Sequence, residues 1–178
     1  VLAAGLCVLA CATALTMITR ARAAEEQRTR LIWLAGAGAV AGSGIWATHF
    51  VAMLAYSAGM PIAFEPGLTV LSAAIAMGLC GVGFAVALMA GGAVGGMICG
   101  FAIAAMHYAG MAAVQLPARG VWDFPYVSAS ILIGVSLSGL ALHFAFRGRM
   151  RRDYVLGAGL FALAIVGMHF TGMAAVRF

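Results

Sequence analysis

Three short stretches decide how this sequence is read: Thr48-His49-Phe50-Val51-Ala52-Met53, Met106-His107-Tyr108-Ala109-Gly110-Met111 and Met168-His169-Phe170-Thr171-Gly172-Met173. Each holds a histidine, an aromatic residue, two small or β-branched residues and a methionine. Residues four apart stack on one face of a helix, so each stretch presents an imidazole with a thioether one turn further on. Both groups are soft or borderline metal ligands. The surrounding chain has 178 residues, 65% of them hydrophobic and 8% charged, with a mean hydropathy of +1.08. A soluble domain carries about 25% charged residues, so this composition describes a membrane protein made mostly of spanning helices.

Crossing the hydrocarbon takes roughly 20 apolar residues. Six such runs occur, at 1–19, 31–57, 68–90, 93–116, 126–146 and 154–176. The expected fold is all-α, a polytopic membrane bundle of six transmembrane helices. The glycine run Gly36-Ala37-Gly38-Ala39-Val40-Ala41-Gly42 resembles a dinucleotide fingerprint, but inside a hydrophobic span it reads as a surface for close helix packing. A net charge of +5 raises the question of nucleic acid, and the distribution argues against it. Arg20, Arg22, Arg28 and Arg30 fall between the first two runs, and Arg147, Arg149, Arg151 and Arg152 between the last two. Only Arg119 and Arg177 fall at the opposite side, so the positive-inside rule makes the arginine-rich side cytoplasmic and puts the N-terminus outside. Trp122, between the fourth and fifth runs, is placed as an interfacial anchor.

The repetition extends beyond the histidines, which lie 58 and then 62 residues apart. Sliding the third run onto the fifth by 56 positions aligns Ser72 with Ser128, Ile75 with Ile131, Gly78 with Gly134 and Gly83 with Gly139. A weaker match sets Gly5-Leu6-Cys7 on Gly78-Leu79-Cys80. The unit is a helix pair of about 60 residues used three times, giving repeats at 1–57, 68–116 and 126–178 within one domain, 1–178. A two-helix unit returns the chain to its starting side, so successive units are parallel. The three histidines are then expected at equal depth, about eight residues or ~12 Å below the outer helix ends.

Three His and three Met at one depth favour copper over zinc, because thioether selects Cu(I) while closed zinc sites take Cys, His or carboxylate. Phe50, Tyr108 and Phe170 are placed to wall off the site, and Ala52, Gly110 and Gly172 to let helices approach. The competing reading is that each histidine is an interhelical hydrogen-bonding group. His143 lacks the flanking pattern and reads as interfacial. Cys7, Cys11, Cys80 and Cys99 all fall inside apolar runs without a CxxC, so they read as small packing residues rather than a disulfide framework. Met17, Met60, Met77, Met89, Met97 and Met150 read as packing or loop residues.

The threefold His-aromatic-x-x-Met pattern on alternate helices resembles the MHYT domain, a bacterial integral-membrane sensor family, over essentially the whole chain. The resemblance implies copper, which the thioethers would favour as Cu(I), held near the outer face by His49, Met53, Met106, His107, Met111, Met168, His169 and Met173. It further implies sensing of O2, CO, NO or redox state in the bacterial inner membrane, ahead of cytoplasmic signalling domains that make or degrade cyclic di-GMP, or of a kinase. Thr48, Ala109 and Phe170 depart from a literal Met-His-Tyr-Thr. The family commonly has a seventh helix leading to its output, and on that ground the sequence reads as an excerpt.

Other classes remain open at this point. A haem- or other cofactor-binding module needs only paired histidines, although no CxxCH is present. A small-solute or ion transporter would fit the bundle, but no Asp or Glu sits within a span to couple protons. An enzyme is least supported, since no nucleophile with a base and no carboxylate pair lies in the membrane. Any catalytic output would therefore lie outside this chain, whose partners are membrane lipid and a gas rather than nucleic acid.

Overall fold

The computed structural model describes residues 2–55, 62–115, 121–147 and 151–177. Among them are six helices, α1 (Leu2–Ala23), α2 (Gln27–Leu54), α3 (Pro66–Ala90), α4 (Gly92–Ala112), α5 (Phe124–Arg147) and α6 (Arg151–Ala174). All six are long and apolar enough to cross a membrane. Four two-residue strands accompany them: β1 (Ala63–Phe64), β2 (Val114–Gln115), β3 (Val121–Trp122) and β4 (Val176–Arg177). Neighbours in sequence are neighbours in space, and α1 packs on α6 to close a ring. Helix α4 also meets α2 and α6, so the histidine-bearing helices come together inside it.

Backbones approach closely because glycine replaces side chains along the contacts, the usual device where apolar lipid removes the hydrophobic drive for helix association. Gly92, Gly96 and Gly100, one per turn of α4, face the carbonyls of Leu142, Ser138 and Gly134 on α5. A Cβ at any of them would collide with backbone. Gly38 and Gly42 of α2 meet α3 backbone at Gly81 and Met77 in the same way, so the glycine run is a packing surface, as expected. Gly91 alone joins α3 to α4, with φ 102, a conformation that disfavours any residue with a Cβ.

The apolar runs locate every helix but misplace its ends. At the arginine side the helices continue into charged sequence: Arg20, Arg22, Arg28 and Arg30 are helical, and the link from α1 to α2 is residues 24–26. Here Arg22 donates to the Phe146 carbonyl at 3.3 Å, and the Arg20 guanidinium lies 5.0 Å from the Trp33 ring centroid. At the other side the chain leaves the helix sooner than hydropathy suggests. Val114 and Gln115 pair with Phe64 and Ala63, and Val176 and Arg177 with Trp122 and Val121. Each ribbon ties the end of a histidine helix to the start of the preceding helix. Glu65 caps α3, its carboxylate accepting from the Gly67 and Leu68 amides, and these donors hold its carboxyl below the usual range.

The repeat is real, but its register differs from the sequence alignment. Glu65 N donates to Ala113 O and Asp123 N to Ala175 O, both at 2.8 Å, so Glu65 corresponds to Asp123 at an offset of 58. The same offset pairs buried Ser72 with buried Ser130, each bonded to the carbonyl three residues earlier, whereas Ser128 is exposed. A slip of two residues turns a helix by about 200°, so the 56-residue alignment sets a buried face on an exposed one. In α1 the buried positions Cys7, Cys11, Ala14, Leu15 and Ile18 match Ala76, Cys80, Gly83, Phe84 and Ala87 of α3. Cys11, not Cys7, is the counterpart of Cys80.

Candidate metal centre

His49, His107 and His169 each stand five residues before the ends of their helices, at Leu54, Ala112 and Ala174. Equal depth holds, but at 1.5 Å per residue it is about 7.5 Å from the helix ends rather than 12. Ala55, Ala113 and Ala175 are turns and Val114–Gln115 and Val176–Arg177 strands, which shortens the helices. Burial follows the register: Ile45, Ile103 and Ile165 are buried one turn below the histidines.

The three imidazoles converge. His49 Nδ1 lies 3.1 Å from His169 Nδ1 and 3.2 Å from His107 Nδ1. Ring centroids are 5.0, 5.1 and 5.3 Å apart with the rings near perpendicular. The residues are 2%, 1% and 6% exposed for His49, His107 and His169. Donor atoms of all three lie within 4.8 Å of one another, which makes them the one group of metal-binding type found among the described residues.

Two chemistries fit such spacing, and the count of protons separates them. A neutral imidazole has one N–H, so His49 Nδ1 cannot fully satisfy both His107 Nδ1 and His169 Nδ1. The Nε2 atoms of His49 and His107 are buried without a hydrogen-bond partner, whichever group the Nδ1 atoms meet. Hydrogen bonding among the Nδ1 atoms therefore leaves one of them short, at a cost that buried polar groups normally avoid. Three lone pairs directed at one cation would satisfy all three Nδ1 atoms. Metal–nitrogen bonds near 2.0 Å at tetrahedral angles place ligand nitrogens about 3.3 Å apart, close to the two spacings from His49 Nδ1.

Glycine creates room for the rings. A Cβ at Gly110 would sit 2.7 Å from His49 Nε2, and one at Gly172 would sit 2.5 Å from His107 Nε2. Each imidazole edge is thus seated on the next repeat's helix. The corresponding position toward His169 is Ala52. Here α2 and α6 approach less closely than the other two inner pairs, and a cleft of ≈640 Å³ opens. Its lining runs from Leu2 and Ala3, at the first described residues, to Ala52, Met53, His169, Phe170 and Met173.

The methionines divide. Met106 and Met168 are buried immediately before their histidines, and Thr48 takes their place in the first repeat, its hydroxyl donating to the Gly44 carbonyl at 2.7 Å. Met53 and Met111 are buried, and Met173 is half-buried. Each aromatic ring stands edge-on to its neighbouring histidine, at 4.8, 5.0 and 5.3 Å. Phe50 is buried but Phe170 is 63% exposed.

Sequence reasoning misses the outer layer. Phe64 packs on Phe50 at 5.2 Å and Trp122 on Tyr108 at 5.6 Å, again one offset of 58. Trp122 is therefore more than an interfacial anchor. The Tyr108 hydroxyl meets Ser130 Oγ at 2.7 Å, and Trp46 Nε1 donates to the Thr69 carbonyl at 3.1 Å. His143 is half-buried beside Phe144 and apart from the triad. All four cysteines are free and buried, with Cys7 and Cys99 thiols directed at the Ala162 and Cys80 carbonyls. Tyr56, Met60, Arg119, Arg149 and Met150 lie outside the described residues.

Fold and site together define a multi-pass membrane repeat protein with a buried three-histidine cluster near one end. The profile of the MHYT family, described as a bacterial signalling protein N-terminal repeat, matches residues 42–97 and 100–158. The chain belongs to that family. Over 183 residues it is 43% identical to the bifunctional diguanylate cyclase/cyclic di-GMP phosphodiesterase MucR of Pseudomonas aeruginosa, with 96% of this chain and 26% of MucR covered. It is 38% identical over 178 residues to an uncharacterized signaling protein of Caulobacter vibrioides, covering 98% of this chain and 22% of that protein. It is also 38% identical over 151 residues to the cyclic di-GMP phosphodiesterase NbdA of Pseudomonas aeruginosa, covering 76% of this chain and 19% of NbdA. The chain thus spans about a quarter or less of these relatives. No solved structure matches it.

Proposed function

We propose that this chain is the sensory module of a bacterial signalling protein, that His49, His107 and His169 hold a copper(I) ion, and that the centre responds to a diatomic gas or to redox state. The convergence of three Nδ1 atoms within 3.1–3.2 Å across His49 carries this reading. The residues fit the ion. Glu25, Glu26, Glu65, Asp123 and Asp153 are the acidic residues, and none lies among those around the triad. Without a counter-charge, burying one positive charge costs far less than burying two, which favours Cu(I) over Zn(II). Imidazole with thioether suits the same choice, and Met53, Met106, Met111, Met168 and Met173 are the sulfur donors proposed to complete or surround the site. A bound ion would supply a soft centre able to take a diatomic ligand or give up one electron. The histidines hold and orient it, while Phe50, Phe64, Tyr108 and Trp122 keep water out. Haem fits less well, because nitrogens this crowded leave no gap for a porphyrin between them.

Signalling domains carried elsewhere in the full protein, of the cyclic di-GMP type named for MucR and NbdA, would read the centre's state. The site would face the outside of the inner membrane, with the N-terminus outside. Protein purified without a polyhistidine tag is expected to contain about one copper per chain and little zinc. Stoichiometric zinc, or no metal after copper loading, would overturn the metal assignment. Reporters inserted after Arg22 or Arg149 are expected to register as cytoplasmic and those after Pro61 or Arg119 as external. The opposite pattern would place the triad at the cytoplasmic face.

A further inference from the structure

At the end of the bundle opposite the triad, two arginines turn to one cavity. Arg22 lies in the last turn of α1 and Arg30 in the first turn of α2, and both line a space of ≈250 Å³ whose third wall is Leu88, near the end of α3. Each guanidinium is anchored by a carbonyl. Arg22 donates to Phe146 O at 3.3 Å and lies 4.8 Å from the Phe146 ring centroid, so it reaches α5, beyond the helices α2 and α6 on which α1 packs. Arg30 donates to Ala24 O at 2.9 Å. The cavity therefore belongs to the end of the ring rather than to one helix pair.

Positive charge is left over there. Among the described residues the one ion pair joins Arg152 to Asp153, so the carboxylates of the adjoining link neutralise neither arginine. Glu26 instead accepts from the Thr29 hydroxyl. Arginines gathered by the positive-inside rule alone need not share a space, and Arg20 lies against Trp33 instead. A guanidinium carries several N–H donors in a rigid fork, and a bond to one carbonyl leaves most of them for a ligand.

The class of ligand follows from charge and size. A carboxylate matches a single fork, and a halide offers no directed pair of acceptors. A phosphate group presents acceptor oxygens in several directions around one centre, so it can engage both arginines. The space is smaller than the ~300 Å³ at which pockets for drug-sized ligands begin, which suits the phosphate group itself and not the body of a large molecule. Basic pockets between membrane helices bind phospholipid head groups by the same chemistry.

We propose that Arg22 and Arg30 form a binding site for a phosphate group, free in solution or carried by a lipid headgroup, at the arginine end of the bundle. Arg30 stands 19 residues before His49 on the same helix, about 28 Å away, so the site is independent of the triad and of any metal there.

Thermal unfolding of the detergent-purified protein tests this. Inorganic phosphate is titrated at constant ionic strength, with chloride as the balance, and short-chain phosphatidylglycerol is titrated beside net-neutral phosphatidylcholine. A saturable rise in unfolding temperature is expected with phosphate, with phosphatidylglycerol or with both, and the arm that responds identifies the source. Arg22→Gln and Arg30→Gln are each expected to weaken the half-saturation by about tenfold or more, the usual cost of losing hydrogen bonds to a charged group. Arg152→Gln, on an exposed side chain turned to Asp153, is expected to leave it unchanged. Should Arg22→Gln fail to fold for want of its Phe146 contacts, Arg30→Gln decides alone. No saturable response in either arm, or equal weakening by Arg152→Gln, would reduce the arginines to diffuse surface charge and overturn the site.

Discussion

Two seams of this bundle and the third are built from the same repeat, yet they behave differently around one atom. Where α4 meets α2 and α6 meets α4, glycine stands opposite an imidazole edge, and both rings are buried. At the corresponding position on α2 stands Ala52, and α2 and α6 approach less closely than the other two inner pairs. The difference teaches that a repeat can keep its histidine while changing the small residue opposite it. A Cβ at 2.5–2.7 Å from a ring atom would force the ring or the helix to shift, so glycine at 110 and 172 permits the close seating seen there.

The comparison breaks most severely if the triad is not a unit. Replacing His49, His107 or His169 by Ala is expected to weaken copper binding by more than the 10- to 100-fold that loss of an outer partner typically costs. His143→Ala is expected to leave it unchanged, as read by competition with a Cu(I) chelator. Double replacements within the triad should fall well short of additive, because residues sharing one partner are coupled. Three independent effects would mean that the histidines serve the bundle and not a centre.

A smaller effect sharpens the contrast between seams. Gly110→Ala and Gly172→Ala are each expected to destabilise the protein by about 1–3 kcal/mol, as overpacking does, and to weaken copper binding by moving His49 or His107. Ala52→Gly is expected to cost no more than about 1 kcal/mol of helix propensity and to keep the copper. Thermal unfolding in detergent with parallel copper titration checks both. Equal responses at positions 52, 110 and 172 would show that the seams do not differ.

Much of this is legible before folding. Hydropathy alone places six helices, because every span must satisfy its backbone internally while presenting apolar side chains to lipid. The histidine spacings of 58 and 62 residues are legible too, and their equal depth follows from the parity of the helix count. The helix register is not. Aligning Ser72 with Ser128 rests on four identities in a composition where Gly, Ser and Ile are common, and only burial and the Glu65 and Asp123 amide bonds correct it. Helix ends are misread because hydropathy measures compatibility with lipid, whereas caps and paired strands decide where a helix stops.

The sequence by itself determined the class: an apolar chain with arginines gathered at two loops, and a His-aromatic-x-x-Met unit used three times, can only place its histidines on alternate helices at one level. Tertiary structure decided that the three Nδ1 atoms meet, since a residue's depth is a local count but its direction depends on how each helix is rotated against its neighbours. It also decided that Gly110 and Gly172 seat the edges of His49 and His107. A glycine is an ordinary residue along a membrane helix, and it matters at these two positions only because an imidazole from another repeat, far away in the chain, needs the space.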